Sequence, residues 1–256
     1  MTSVDTSVLE SKVKDLYRHV AEQPHGRYHF EMGRALAERL GYPGNVLDRL
    51  PRAAVDSFAG VGYFFDLASL RPGEQVIDLG SGSGTDSFVA AAAVGSTGRV
   101  LGVDFTPEQL AKARRLASDL DLGQVHFREG RIEDLPADDA SFDCAISNGV
   151  INLCPRKERV FAEIARVLRP GGRAAIADIV TERRLQESIT CDPDLWASCI
   201  GGAAQEDDYR TAIEAAGLRV VVERRNPYQF LSGRARGASA TYGVKSLSLL
   251  AAKPRN

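Results

Sequence analysis

An α/β fold built on a doubly wound, mostly parallel sheet is what this sequence predicts, and three observations predict it. Short apolar runs alternate with helical stretches from Glu74 onward. A glycine-rich loop, Asp78-Leu79-Gly80-Ser81-Gly82-Ser83-Gly84, follows the first run directly and leads into a helix. An acid, Asp104, closes the second run about 20 residues beyond that loop. Strands separated by whole helices must run parallel, with helices covering both faces of the sheet.

The elements follow in order. Val13, Leu16, Tyr17 and Val20 recur at helical spacing, as do Met32, Leu36 and Leu40. Gln23-Pro24-His25-Gly26 and Gly41-Tyr42-Pro43-Gly44 break the chain between helices. Residues 1–65 therefore read as an N-terminal helical cap, a lid on the substrate side, and residues 66–256 as the sheet domain. Val76–Leu79 is the first strand and Thr85–Val94 its helix. Arg99–Asp104 is the second strand, and Pro107–Leu120 the next helix, with Thr106 as N-cap and Pro107 in its first turn. Val125–Arg128 and Phe142–Ser147 are the third and fourth strands, and Lys157–Leu168 a helix. Pro170-Gly171-Gly172 is a turn into the fifth strand, Arg173–Val180. Gln205–Ala216 reads as a helix, and Leu218–Arg224 and Ser246–Ala251 as the last of seven strands. The Gly- and Ala-rich stretch Asn226–Gly243 joins them and is too long for a tight hairpin. Substrate-side insertions fall near 181–210 and 226–245.

The bulk numbers narrow the function classes. With 256 residues, 44% hydrophobic and 26% charged, the chain has an ordinary globular composition. Its formal net charge of −2 lacks the basic excess of a nucleic-acid enzyme, and no nucleic-acid partner is expected. Met1–Lys14 is polar and no apolar run is long enough to span a bilayer, so no leader, no membrane partner and a cytoplasmic location are expected. Cys144, Cys154, Cys191 and Cys199 form no C-x-x-C pair, so neither a metal site nor a disulfide is expected.

The glycine loop lets backbone approach a ligand where a Cβ would collide. Dinucleotide-binding folds use a similar loop, and an acid like Asp104 to accept from ribose hydroxyls. Two details point elsewhere. Asp78 lies two residues before the first glycine, where it would face a pyrophosphate badly but would favour a cationic ammonium. The third glycine also follows the second by two residues, not three.

Over roughly Leu70–Lys253 the sequence resembles the class I S-adenosylmethionine-dependent methyltransferases. The resemblance implies S-adenosyl-L-methionine as cofactor, held by Asp78, Gly80, Ser81, Gly82 and Gly84 around its methionine part. Asp104 and Phe105 would meet the ribose, and Arg131, Ile132 and Glu133 of Gly130–Pro136 would flank adenine. Asn148 would end the fourth strand beside the cofactor, and Leu168–Arg173 matches the turn into the fifth strand. Within that superfamily it is most similar to the arsenite methyltransferases, through Ile146–Leu153, Lys157–Phe161, Ala177–Val180, Ala197–Ala203 and Tyr242–Ser246.

That resemblance implies cysteine thiolates, soft ligands for trivalent arsenic. Cys199 matches one of them and is the candidate catalytic residue. A second belongs where Gly149 stands, and a third near 57–62, where there is none. An arsenite-methyltransferase-like scaffold with an altered acceptor site is therefore expected, acting on a small molecule as a monomer or homodimer. Two alternatives stand beside it. One is metalloid, chalcogen or thiol methylation through Cys199, with Cys154 and Cys191 as substitute ligands. The other is C-, N- or O-methylation of an organic acceptor, for which Gly149 leaves room. Trp196, Tyr209, Tyr228, Phe230 and Tyr242 are candidate pocket walls, and Tyr17, His25 and His29 candidate bases.

Overall fold

The structure, a computed structural model, describes residues 5–192, 195–196, 200–231 and 233–255. Five helices come first: α1 (Thr6–Glu22), α2 (Gly33–Leu40), α3 (Gly44–Leu47), α4 (Arg52–Asp56) and α5 (Phe65–Ala68). Asp5 caps α1, its carboxylate accepting from the amides of Ser7 and Val8. The sheet domain then runs β1 (Gln75–Leu79), α6 (Thr85–Val94), β2 (Arg99–Asp104), α7 (Pro107–Asp119), β3 (Val125–Glu129), β4 (Phe142–Asn148) and α8 (Lys157–Val167). It continues with β5 (Leu168–Thr181), α9 (Glu187–Thr190), β6 (Ala204–Gln205), α10 (Glu206–Ala215), β7 (Arg219–Arg225), α11 (Gly233–Tyr242) and β8 (Lys245–Ala252).

Strand order is β3-β2-β1-β4-β5-β8-β7, with two-residue β6 added alongside the end of β5. β1 through β5 pair in parallel, while β8 runs antiparallel between β5 and β7. The doubly wound, mostly parallel sheet expected from the sequence is thus the fold. Alternate residues of a strand face opposite ways, and in the central strands β1, β4 and β5 both faces are buried. Val76 and Val100 point into one apolar layer with Phe88, Leu110 and the cap residues Leu9, Leu36 and Phe64. Ile77 and Leu101 point into the other with Phe161, Ile164 and Ile213. The cap shares its core with α6 and α7 and has none of its own.

Four local expectations need correction. Thr106 occupies the N-cap of α7, but its side chain makes no capping bond; its own amide donates to Asp104 Oδ1 at 2.8 Å. Pro170–Gly172 does not end a strand and start another: it is a bulge inside β5, where the β4–β5 register shifts. Gly171 takes φ +81° there, and its amide reaches the carbonyls of Lys253 and Pro254. The connection between β7 and β8 contains helix α11. β6, the eighth strand, has only two residues and leaves no periodic signal.

Candidate active site

Two adjoining clefts open at the carboxyl ends of β1, β2 and β4, where the strand order turns from β1 to β4. The larger, about 680 Å³, is lined by Asp78, Gly80–Ser83, Asp86, Asp104, Asn148, Gly149 and cap residues Val13, Tyr17 and Ser57–Gly60. The second, about 560 Å³, lies beyond Phe105 and Val150 and is lined by Leu9, Glu10, Arg131, Ile132, Glu133 and Cys154.

The loop takes its shape from its glycines. Gly80 sits at φ +72°, and a Cβ there would lie 2.6 Å from Val150; Gly84, at φ +93°, would strike Phe127. The amides of Gly80 and Ser81 both donate to the Val103 carbonyl, at 2.8 and 3.0 Å, fastening the loop to the end of β2. Asp104 Oδ2 accepts from the Gly82 amide at 2.9 Å, so the ribose-side acid also braces the loop. Gln109 of α7 joins loop and cap: it accepts from Ser83 Oγ at 2.5 Å and donates to the Tyr17 carbonyl at 2.8 Å.

Three buried carboxylates crowd this cleft. Burial raises the pKa of Asp78 well above the ordinary carboxylate range, and the charges of Asp86 and Asp104 raise it further, against the Ser87 hydroxyl bond at 2.6 Å. Asp86 is pushed up to about 6 by burial, less than burial alone would give because Tyr42 and Asn148 donate to it. Burial raises Asp104 too, against the amides of Thr106 and Gly82. No Lys, Arg, His or Cys lines the larger cleft among the described residues. Ser81 Oγ is buried without a hydrogen-bond partner among them. A cleft lined by buried carboxylates suits a cation with hydroxyls, and an ammonium-bearing sulfonium nucleoside meets both conditions.

The structure gathers the expected residues into these two clefts. Asp78, the loop glycines, Ser81, Asp104, Phe105 and Asn148 line the first; Arg131, Ile132 and Glu133 line the second. Arg131 also makes a two-pronged ion pair with Glu10 of α1, at 2.5 and 2.6 Å. Asn148 spends its amide on protein groups: Oδ1 accepts from Val61 and Gly62, while Nδ2 lies within 3.1 Å of Asp86, Gly62 and Tyr42 oxygens.

Other expectations fare differently. Cys199 lies outside the described residues. Cys144 is buried in the sheet, its thiol pushed up to about 12 by burial. Cys154 lines the second cleft, away from Gly149, and burial pushes it up to about 11. Tyr209 is core and not pocket wall: it packs edge-on against Phe161, and its hydroxyl donates to Asp178 at 2.8 Å. Trp196 lines neither cleft; Lys157 Nζ sits 5.1 Å from its ring centre and its indole N–H reaches the Thr190 carbonyl. Tyr228 and Phe230 pack on the cap-side core, and Tyr242 lines a separate hollow with Ile189, Leu195 and Ile200. Of the three candidate bases only Tyr17 reaches a cleft. Gly149, at φ +71°, does lie in the larger one, and a Cβ there would meet Val61 at 3.1 Å.

Sequence reasoning missed Asp86, Tyr42 and Gln109. Asp86 reads as an ordinary acid in the first turn of a helix, and its partners lie 44 and 62 positions away. Nothing local marks such a contact.

Comparison with known proteins agrees with the geometry. Residues 70–217 match the family model described as a methyltransferase domain. An arsenite methyltransferase of Halobacterium salinarum is 44% identical over 185 residues, 72% of this chain and 47% of its own length. One from Aquipseudomonas alcaligenes is 45% identical over 148 residues, 55% of this chain and 43% of its own. The chain spans about half the length of the curated relatives it matches. Among solved structures, an arsenic(III) S-adenosylmethionine methyltransferase from Chlamydomonas reinhardtii superposes with a TM-score of 0.65 at 32% identity, covering 88% of this chain and 74% of that one. A geranyl diphosphate C-methyltransferase from Streptomyces coelicolor A3(2) gives 0.70 at 16% identity, covering 96% and 98%, a likeness of fold alone.

Proposed function

The chain belongs to the methyltransferase-domain family, with the class I fold of the S-adenosylmethionine-dependent enzymes, and from that premise we propose that it methylates a small-molecule acceptor at a site altered from that of the arsenite methyltransferases. One observation carries the reading: three buried carboxylates, Asp78, Asp86 and Asp104, line a cleft beside a glycine-rich loop, with no basic side chain among its described residues. Bound there, S-adenosylmethionine would supply an electrophilic methyl group, which passes to an acceptor lone pair as the carbon–sulfur bond breaks toward sulfur.

The chain's own residues bind, orient and exclude water. Asp104 lies where ribose hydroxyls would donate, and Asp78 where an ammonium would be favoured. That division matters, because the ammonium keeps its charge through the reaction while the sulfonium loses it. Acids placed at the ammonium end hold the donor without favouring the ground state over the transition state. Val13 and Tyr17 of α1 cover the cleft and keep water from the reacting centre. Among the described residues the ionisable groups lining it are Tyr17 and the three acids, and these are the candidates to take the proton of a protic acceptor.

The altered acceptor site rests on Gly149, where the arsenite-methylating pattern has a cysteine. Isothermal titration with S-adenosylmethionine, followed by turnover against arsenite, selenite, thiols and flat organic nucleophiles, tests both halves. No binding at micromolar donor defeats the cofactor assignment. Efficient turnover of arsenite that Cys199→Ser abolishes would favour the second reading, metalloid methylation through Cys199, for which the names of the matched relatives speak.

A further inference from the structure

We propose that Tyr42, Asp86 and Asn148 are positioning residues that carry the state of the donor site to the cap loop 57–62, which forms part of the cleft wall. The inference rests on the reading above that the cleft takes a cationic methyl donor, and goes beyond it by assigning the cap a set place in the cycle.

The three side chains meet at a buried junction of three segments. Asp86 stands in the first turn of α6, straight after the glycine loop. Tyr42, between α2 and α3, donates its hydroxyl to Asp86 Oδ1 at 2.5 Å. Asn148, at the end of β4, donates to Asp86 Oδ2 at 2.9 Å. The other end of the same amide grips the loop, its Oδ1 accepting from Val61 N at 2.8 Å and Gly62 N at 3.2 Å. Gly60 and Gly62 allow that approach: a Cβ at Gly60 would lie 2.6 Å from Asn148 Nδ2, and one at Gly62 would strike Asn226. The loop's other half, Ser57–Gly60, is cleft wall. An unbroken chain of hydrogen bonds therefore runs from the helix that follows the glycine loop to the cap segment that walls the cleft.

The same geometry gives the chain two settings. Asp78 and Asp86 are both buried and each opposes ionisation of the other, so an empty cleft favours holding a proton. Asp86, pushed up only to about 6, gives up its proton more readily than Asp78, and a cation in the cleft favours the charged form of both. Charged Asp86 accepts from Tyr42 and Asn148 in the stronger, charge-assisted way, and the asparagine amide is then fixed with its oxygen toward Val61 and Gly62. Donor binding should thus order this part of the cleft wall.

Hydrogen exchange at the amides of Val61 and Gly62 tests this without knowledge of the acceptor. The probe is S-adenosylhomocysteine, added to the whole protein, with its affinity measured by titration in parallel. In the parent protein it should slow exchange at both amides by about fivefold or more beyond any global change. Tyr42→Phe, which keeps the shape of a side chain that lines neither cleft, should still bind the probe yet reduce the slowing to under about twofold. Equal slowing in this variant, or none in the parent despite saturation, overturns the network. Failure of the parent to bind S-adenosylhomocysteine overturns the donor assignment, and this proposal falls with it.

Discussion

The glycine loop and the side-chain junctions behind it are built by different means. Around the glycine loop, backbone does most of the work: glycine amides, strand ends and acids that brace the loop they serve, all within β1, β2 and their loops. Behind it, side chains from distant segments do it: Tyr42 and Asn148 at Asp86 and, away from both clefts, Asp178, Lys157, Tyr209 and Trp196. A site made of backbone can be kept only by one local sequence. A site made of distant side chains can change its chemistry by single substitutions, and Gly149 is such a place.

The sharpest way to probe that contrast is through the buried charge of the second group. Asp178 is pushed up to about 7 by burial, against bonds from Tyr209 and the Ile179 amide and the nearby charge of Lys157. Its folded pKa exceeds the unfolded value, so its contribution is fully present below about pH 4 and is lost as pH rises through 7. The shift is worth up to about 4 kcal/mol. Denaturant unfolding from pH 5 to 8 should show Asp178→Asn gaining on the parent as pH rises; parallel curves would mean the acid is not buried as described.

Asp104→Ala attacks the first group. It removes a brace of the glycine loop and an acceptor of ribose hydroxyls, so affinity for S-adenosylhomocysteine should fall about 100-fold, near 3 kcal/mol. Titration calorimetry giving a change within threefold would show that the loop needs no such support. Gly80→Ala should cost about 2 kcal/mol of stability, since its positive φ and the 2.6 Å approach to Val150 leave no room for a methyl group. A midpoint unchanged in urea would contradict the close packing of that loop. The smallest effect belongs to Arg131→Ala. Its partly exposed pair with Glu10 ties α1 to the second cleft and should contribute under about 1 kcal/mol to stability. A larger loss, in thermal melts at low and high salt, would make α1 a firmer part of the core than its contacts indicate.

This difference in construction also explains what the sequence disclosed. The loop 78–84, Asp104 and the strand–helix alternation are local patterns, each dictated by one turn or one periodicity, and they stand where expected. Asp86 carries no such mark, because its role exists only once Tyr42 and Asn148 have been brought to it. Tyr209 misleads for the same reason: an aromatic residue on an amphipathic helix looks alike whether it faces a cleft or Phe161. Helix α11 escaped notice because Gly233, Gly237 and two serines in 226–243 weaken its propensity, and no apolar stripe compensates. Gly149 was legible as a substitution, but its left-handed backbone was not.

The loop 57–62 has one more consequence, which concerns how the chain comes to be folded. Its amides await Asn148, and the Val61 carbonyl accepts from Ser246 Oγ at 2.7 Å, a partner 185 positions downstream. A ribosome delivers this loop early, yet it cannot take its final course until the last strand has been threaded between β5 and β7. Contacts of such sequence separation form late, after the local helices and the parallel strands have closed their own shorter loops. This part of the wall of the larger cleft should therefore be the last part of the molecule to mature during synthesis, so that the cleft is complete only in a chain that has finished folding.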